Sequence, residues 1–377
     1  GLVALALLSA VSGKGVEGIK DDKLKAGIEK AAADLKKNAG AALVVCGSND
    51  TNTQIVVNAI NQAIGAYGKT FDWGKPVNYR AGVDAEFEQL VRDMEAGTVG
   101  TLLVYGANPV YTYHKAAAFT AALKKVKVSV SFSERMDETT EHCQFIAPSN
   151  HYLESWGDAA PKAGVISFIQ PTIYPLFKTR AYQTSLLKWS GRDTSYEEYF
   201  KQYWIGQLGS ESAFNTVLQD GIQDSALPAA AGSYSSASLA AAAQAITTAP
   251  AVTGTELVLY QKASIGTGTG ATNPWLQELP DGVTKASWGN YALVSLSMAK
   301  ELVGIDLVNG TEKEINNYEF YPQKPVIKIT MGGQEIELPV LAIPGMQSNT
   351  IAIALGYGRS EKLGRTSAGR SEEHTSE

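Results

Sequence analysis

The sequence predicts an α/β domain built on a doubly wound, mostly parallel sheet, followed by a β-rich domain patterned like a small barrel. Three observations predict it. First, the stretch from Thr101 to Phe132 holds an apolar run, Leu102 to Val104, then Phe119, Ala122, Leu123 and Val126 at helical spacing, then the alternating β-branched run VKVSVSF. That is the order of a strand, a crossover helix and a parallel strand. Second, further strand and helix signals precede this unit and extend the alternation. Third, from Glu256 onward short alternating runs broken by glycine outnumber helical ones.

In chain order, LVALALL near the start is too short to span a bilayer, which takes about 20 apolar residues, and reads as a core element. Leu24, Ile28, Ala31 and Leu35 place a helical stripe between Lys20 and Lys37, with Gly40 as the stop. LVVC at Leu43 to Cys46 is expected as a short buried strand ahead of the turn-rich GSNDTN. Gln54 to Ala66 is expected as a second helix. A third runs through Phe87, Leu90, Val91 and Met94, with Asp84 as its cap and Glu86 favouring its positive end. AGVISFIQ is a strand closed by PTIYP, and Ser195 to Gln207 an aromatic-rich helix. Leu227 to Thr255, biased to Ala, Ser, Thr and Gly, reads as a linker or a loosely packed helix.

In the β-rich part, ELVLYQ is a strand, and PVIKIT and QEIELPVLAI form a hairpin across Gly332 and Gly333. NTIAIALGYG continues the sheet, and Tyr291 to Leu302 is the one clear helix expected there. The expected organisation is an α/β domain over 1–190, a helical and low-complexity linker over 191–255 and a β-barrel domain over 256–360. The 361–377 tail is expected to be artefactual, because SEEHTSE is polar and patternless. Both ends suggest a fragment of a longer protein.

Composition excludes some classes. The 377 residues carry a net charge of -6 with Lys and Arg scattered, so there is no basic stripe for nucleic acid. The two cysteines, Cys46 and Cys143, form neither a CxxC nor a disulfide framework. No HExxH, GxSxG or P-loop is present, nor a cysteine cluster that could carry iron–sulfur. His142, Cys143 and His151 match no common zinc spacing, so hydrogen-bonding imidazoles are the expectation over a metal. Asp137, Glu138, Glu141, Glu154 and Asp158 are expected as a solvated acidic loop with no paired base or nucleophile. SIGTGTGATNP, with no following helix, is expected as a mobile or ligand-approaching loop. Trp156, Trp275 and Trp288 are expected mostly as packing anchors.

The parallel strands direct the functional reading. Ligands of open α/β sheets sit in the crevice outside the carboxyl ends of the strands, which here carry GANPVYT and SERMDETTEHC.

The series GANPVYT, DETT with IAPSNHYLESWGD, QPTIYPLFKTR, NPWLQELPDGVTKASWGNYAL and PGMQSNTIAIALGYGR resembles the later part of molybdopterin oxidoreductases. Its order and spacing match over nearly the whole chain up to Arg359. HYLESWGD, NPWLQELPD and GYGR are most similar to the iron–sulfur, molybdopterin-oxidoreductase-like subunit of alternative complex III, a bacterial quinol oxidoreductase. The resemblance implies that the first part is the third domain of that fold and the β-rich part its fourth, a double-psi-like barrel. In molybdenum enzymes these two domains clamp a pterin guanine dinucleotide. It implies that Gly106, Asn108, Pro109, Glu138 and Thr139 approach the nucleotide from the first part. Asn273, Pro274, Asn290, Gly356 and Arg359 approach it from the second.

Two departures bear on this. DETTEHCQFIAP places His142 and Cys143 where catalytic relatives have an AD pair, and WGN replaces WDN, so Gly289 removes a carboxylate. The resemblance then implies a vestigial cradle, no catalytic residue, no metal and no cofactor in this stretch. Iron–sulfur clusters are expected in a later segment of the parent. The implied partners are multihaem cytochrome and integral membrane quinol subunits, and the implied location is the periplasmic side of the bacterial inner membrane. The alternatives are a molybdopterin guanine dinucleotide enzyme of the polysulfide, thiosulfate or tetrathionate reductase type, or a non-redox nucleotide-binding module.

Overall fold

The computed structural model describes residues 1–79, 82–232, 234–250, 254–320 and 324–359. The expected tail at 361–377 lies outside them. The chain packs as two compact units, each drawn from three stretches. One takes Gly1–Gly82, Tyr152–Tyr174 and Arg192–Ala251; the other takes Val83–His151, Pro175–Gly191 and Val252–Glu377.

In the first unit, the helices Leu2–Val11, Asp22–Lys37, Thr51–Ala63 and Leu239–Thr248 share a core centred on Ala6, Ile28, Val56, Ile60 and Ile64. Local chemistry starts two of them: Asp21 accepts from the Leu24 N–H at 2.8 Å and Asp50 from the Thr53 N–H at 2.8 Å. Ile28 is buried as the helical stripe predicts, but Leu24 is 43% exposed, so that stripe is narrower than expected. Of the two readings of the Ala-rich segment, linker or loosely packed helix, a helix forms at Leu239–Thr248, where Ala242 is buried and Leu239 and Ile246 rest on this core. Small side chains let that helix come close to Thr51–Ala63.

The expected strand at Leu43 to Cys46 does not form among the described residues. Instead Asn61, buried in the neighbouring helix, accepts from the Val44 N–H at 2.8 Å and donates to the Val44 carbonyl at 2.9 Å. One side-chain amide thus stands in for a neighbouring strand. The rest of this unit is an antiparallel sheet in the order Gly157–Lys162, Val165–Ile169, Gln223–Asp224. Helices Tyr196–Leu208 and Glu211–Asp220 pack by it through Phe168, Phe200 and Phe214, with Trp156 against Phe200. A reciprocal cap between Ser195 and Glu198 opens the first of these helices. Strand Gly157–Lys162 was hidden in the sequence because GDAAPK has no apolar alternation; the hairpin partner holds it.

In the second unit, Thr101–Val104 pairs in parallel with Val128–Ser131, as expected, and Val128–Ser131 with the two-residue strand Phe145–Ile146. Helices Asp84–Glu95 and Ala116–Leu123 contribute Val91, Met94, Phe119 and Leu123 to a core that also holds Val126. Each such fully buried side chain contributes about 1.5–3 kcal/mol relative to exposure. Asp84 lies inside the first turn rather than capping it, since the cap position is Val83, and there it complements the helix dipole. The second sheet is mixed and curled, in the order Glu256–Tyr260, Thr350–Ala354, Ala292–Val294, Gln334–Ala342, Val326–Met331. Its hairpin turns at Gly332 and Gly333, with φ +58° and +79°. The single helix expected over Tyr291 to Leu302 divides: Ala292–Val294 is a central strand, and Ser295 then caps the helix Leu296–Val303. Burial on all sides of Ala292 and Val294 overrides the helical spacing. Short helices Pro274–Glu278 and Glu312–Phe320 were not expected.

Candidate functional site: a closed cradle at the parallel strand ends

The site lies within the second unit, where the loops after both parallel strands meet the glycine-rich and GYGR segments of the curled sheet. Gly106, at φ +64°, turns the chain after Thr101–Val104, and Pro109 starts the short helix Pro109–Thr112. Asn108 just before it faces the second loop. Its Oδ1 accepts from the Thr139 N–H at 3.1 Å and the Thr139 hydroxyl at 2.7 Å, while its Nδ2 donates to Glu138 at 2.6 Å. Thr139, fully buried, also accepts from the Val110 N–H at 3.0 Å. The second loop is set by Asp137, which accepts from the Thr140 N–H at 2.7 Å and the Ser133 hydroxyl at 3.0 Å. The expectation of a solvated acidic loop is therefore corrected at Asp137 and Glu138: their carboxylates organise it.

Glu138 takes a bidentate ion pair from Arg359, Nε to Oε1 at 2.9 Å and Nη2 to Oε2 at 3.0 Å. The two side chains, Arg359 and Glu138, are 7% and 14% exposed. Arg359 also donates through Nη1 to the Gly268 carbonyl, and its guanidinium lies 4.3 Å from the centroid of the Tyr111 ring. The Tyr111 hydroxyl in turn donates to the Tyr357 carbonyl at 2.7 Å, and burial pushes its pKa up to about 12. The guanidinium thus satisfies its donors in one plane and stacks with its face.

Two glycines let the segments cross. Gly268 and Gly356 both have φ +100°; a Cβ on Gly268 would stand 2.8 Å from the Tyr111 ring, and one on Gly356 would stand 2.9 Å from the Gly268 nitrogen. SIGTGTG is therefore a crossing point packed into the site, and the approaching group is protein.

Of the residues singled out in the sequence, Gly106, Asn108, Pro109, Glu138, Thr139, Gly356 and Arg359 come together. Asn273 and Pro274 start the short helix Pro274–Glu278, where Asn273 accepts from the Trp275 N–H at 3.0 Å. Asn290 is buried and donates to the Ala354 carbonyl at 3.0 Å, joining strand ends. Trp275 is 80% exposed, so the expected packing anchor is not seen there among the described residues. Tyr111, Tyr357 and Lys262 were missed, although Tyr111 and Tyr357 sit inside the motifs GANPVYT and GYGR. Among the described residues, no group of three or more His, Cys, Asp or Glu is placed to hold a metal. Cys143 packs at the edge of the parallel-sheet core, where burial pushes its thiol up.

Behind the crossing, Lys262 is 5% exposed. Its ammonium donates to the Tyr357 hydroxyl at 2.7 Å and lies 4.2 Å from the Tyr291 ring centroid and 4.9 Å from that of Tyr357. Burial lowers its pKa to about 8, partly opposed by Asp281. The folded pKa is below the ordinary 10.5, so the unfolded chain holds this proton more tightly. The contribution to stability is present above pH 10.5 and lost as pH falls through about 8. The raised tyrosines here, Tyr111, Tyr260, Tyr291 and Tyr357, act oppositely above their ordinary value of 10.0. Between pH 8 and 10, wild type should gain roughly 1–2 kcal/mol, allowing for solvent screening, that Lys262→Met does not. Denaturant titrations of both proteins across that range measure it.

No family model matches the chain. Over 95 residues it is 35% identical to the menaquinone reductase, molybdopterin-binding-like subunit of Nitratidesulfovibrio vulgaris. That match covers 24% of this chain and 14% of the relative. Acetylene hydratase from Pelobacter acetylenicus shares the fold at a TM-score of 0.61 and 12% identity, over 99% of this chain and 66% of that one. The first match is a local likeness in sequence, and the second shows a shared fold. The chain spans less than two thirds of either protein's length.

The sequence resemblance implies a pterin nucleotide as the cradle's occupant, and the arrangement can be tested against one. Asn108, Glu138, Thr139 and Arg359 spend their side-chain donors and acceptors on one another or on nearby backbone, and Asn290 and Asn273 on backbone alone. In this arrangement the residues do not fit a pterin nucleotide, because the Glu138 carboxylate holds the cation that would face a phosphate.

Proposed function

We propose that the chain is part of a membrane quinol or quinone oxidoreductase subunit of the alternative complex III type, in which the molybdopterin fold serves as a scaffold. The observation that carries this is the Arg359–Glu138–Asn108 set, which closes the nucleotide cradle with the protein's own charges. The relative's name points the same way: a quinone reductase subunit described as molybdopterin-binding-like. The scaffold docks neighbouring subunits, a multihaem cytochrome and integral membrane quinol subunits, on the periplasmic side of the inner membrane. Electron transfer runs through iron–sulfur clusters elsewhere in the parent protein. The curled sheet, on this reading, is the double-psi-like barrel of the family's fourth domain.

Metal and pterin analysis of the purified parent protein tests the proposal. The expected result is far less than one molybdenum or tungsten per chain and no oxidised-pterin fluorescence after acid release. Stoichiometric metal with pterin would instead overturn the scaffold reading and favour the alternative, a molybdopterin guanine dinucleotide enzyme.

A further inference from the structure

We infer that the stretch Pro175–Gly191 of the second unit docks the protein on an anionic lipid surface. It opens with PLFKTR, in which Leu176 is 73% and Phe177 78% exposed; Tyr174, just before it, is 92% exposed. The helix Tyr182–Trp189 follows and buries Ser185 and Leu187, while Leu186 and Trp189, three apart on its outer side, stay open to solvent. Two main-chain contacts pin the loop at its base. The Arg180 N–H donates to the Pro148 carbonyl at 3.2 Å, and the Tyr182 N–H to the Ser149 hydroxyl at 3.3 Å.

The charge on this stretch is one-sided. The whole chain carries -6, yet no Asp or Glu occurs between Asp158 and Asp193, where Lys162, Lys178, Arg180, Lys188 and Arg192 all fall. Lys178, Arg180 and Lys188 lie within the patch and are exposed, and among the described residues no ion pair reaches them. Cations without acids beside exposed Phe, Leu and Trp side chains complement anionic headgroups laid over acyl chains. Leu and Phe gain from the hydrocarbon, Trp from the headgroup level, and the long cationic side chains reach the phosphates.

Shape selects lipid over an acidic protein. Side chains this exposed project rather than line a groove, and a fluid layer admits a projecting loop where a folded partner would need a matching pocket. The inference does not depend on the cradle or on what the parent catalyses.

Co-sedimentation of the purified parent protein with vesicles tests it. Wild type should bind phosphatidylglycerol and phosphatidylcholine mixed in equal parts at least about tenfold more tightly than phosphatidylcholine alone. Raising salt to about 1 M, where screening shortens to about 3 Å, should remove that preference. Lys178→Gln with Arg180→Gln should weaken binding by about 25-fold, at about fivefold per cation. Leu176→Ser with Phe177→Ser should weaken it by at least about tenfold. Trp275→Ser, a comparably exposed aromatic outside the patch, should leave it unchanged. No binding by wild type, or binding that the Leu176 and Phe177 changes do not weaken, would overturn the inference. Wild type that binds no vesicle but retains an acidic subunit lost from the Leu176 and Phe177 variant would also overturn it, in favour of a protein partner. Should a variant fail to fold, hydrogen exchange on wild type still decides: the anionic vesicles should slow exchange across 176–189, and unchanged exchange there would overturn the inference.

Discussion

Arg359→Ala should cost the protein about 3–5 kcal/mol, the range for removing one partner of a buried ion pair. The loss is large because of what stays behind. Glu138, 14% exposed, loses a bidentate cation and keeps the Asn108 amide as a donor. The Gly268 carbonyl loses its guanidinium donor and the face of Tyr111 its cation. Replacing both partners, Glu138→Met with Arg359→Leu, should cost clearly less than the two single losses summed, because no charge is stranded. A double-mutant cycle by denaturant unfolding measures the difference. Additive effects would show that the pair is not coupled, and with that the closed-cradle reading would lose its support.

Gly356→Ala should cost about 2–4 kcal/mol, from backbone strain and a steric clash acting together. At φ +100° an alanine is strained whatever space surrounds it, and here the space is filled by backbone. The new Cβ would meet the Gly268 nitrogen at 2.9 Å and the Gly266 carbonyl at 3.1 Å. A flexible side chain could yield; two backbone segments yield only by moving apart, which draws Arg359 away from Glu138. Thermal unfolding should therefore show a lower Tm than wild type. Adding Gly356→Ala to Arg359→Ala should cost less than the sum of the two, because the latch is already lost.

The legible part of this protein followed from local physics. Helical spacing located Asp22–Lys37, Thr51–Ala63 and Asp84–Glu95 to within a few residues, because apolar side chains three and four apart must share a face. The paired glycines marked the Gly332–Gly333 hairpin, and the strand, helix, strand order marked the parallel pair of Thr101–Val104 and Val128–Ser131. Of the cradle, the two loops were legible as the ends of those strands, while Asn108, Glu138 and Arg359 were singled out only by what the resemblance implies.

Other features were decided by partners distant in the chain. Gly157–Lys162 is a strand only because Val165–Ile169 pairs with it, and Ala292–Val294 is one because it is enclosed on both sides in its sheet. Leu43–Cys46 shows the converse, a strand composition left without a strand beside it because Asn61 takes its place. The sequence by itself determined which segments could be helix, strand or turn, and which loops would meet at the parallel strand ends. Only the tertiary structure brought Arg359 onto Glu138, 221 residues earlier, and so closed the cradle. Local spacing carries no information about charges that meet through the packing of two sheets.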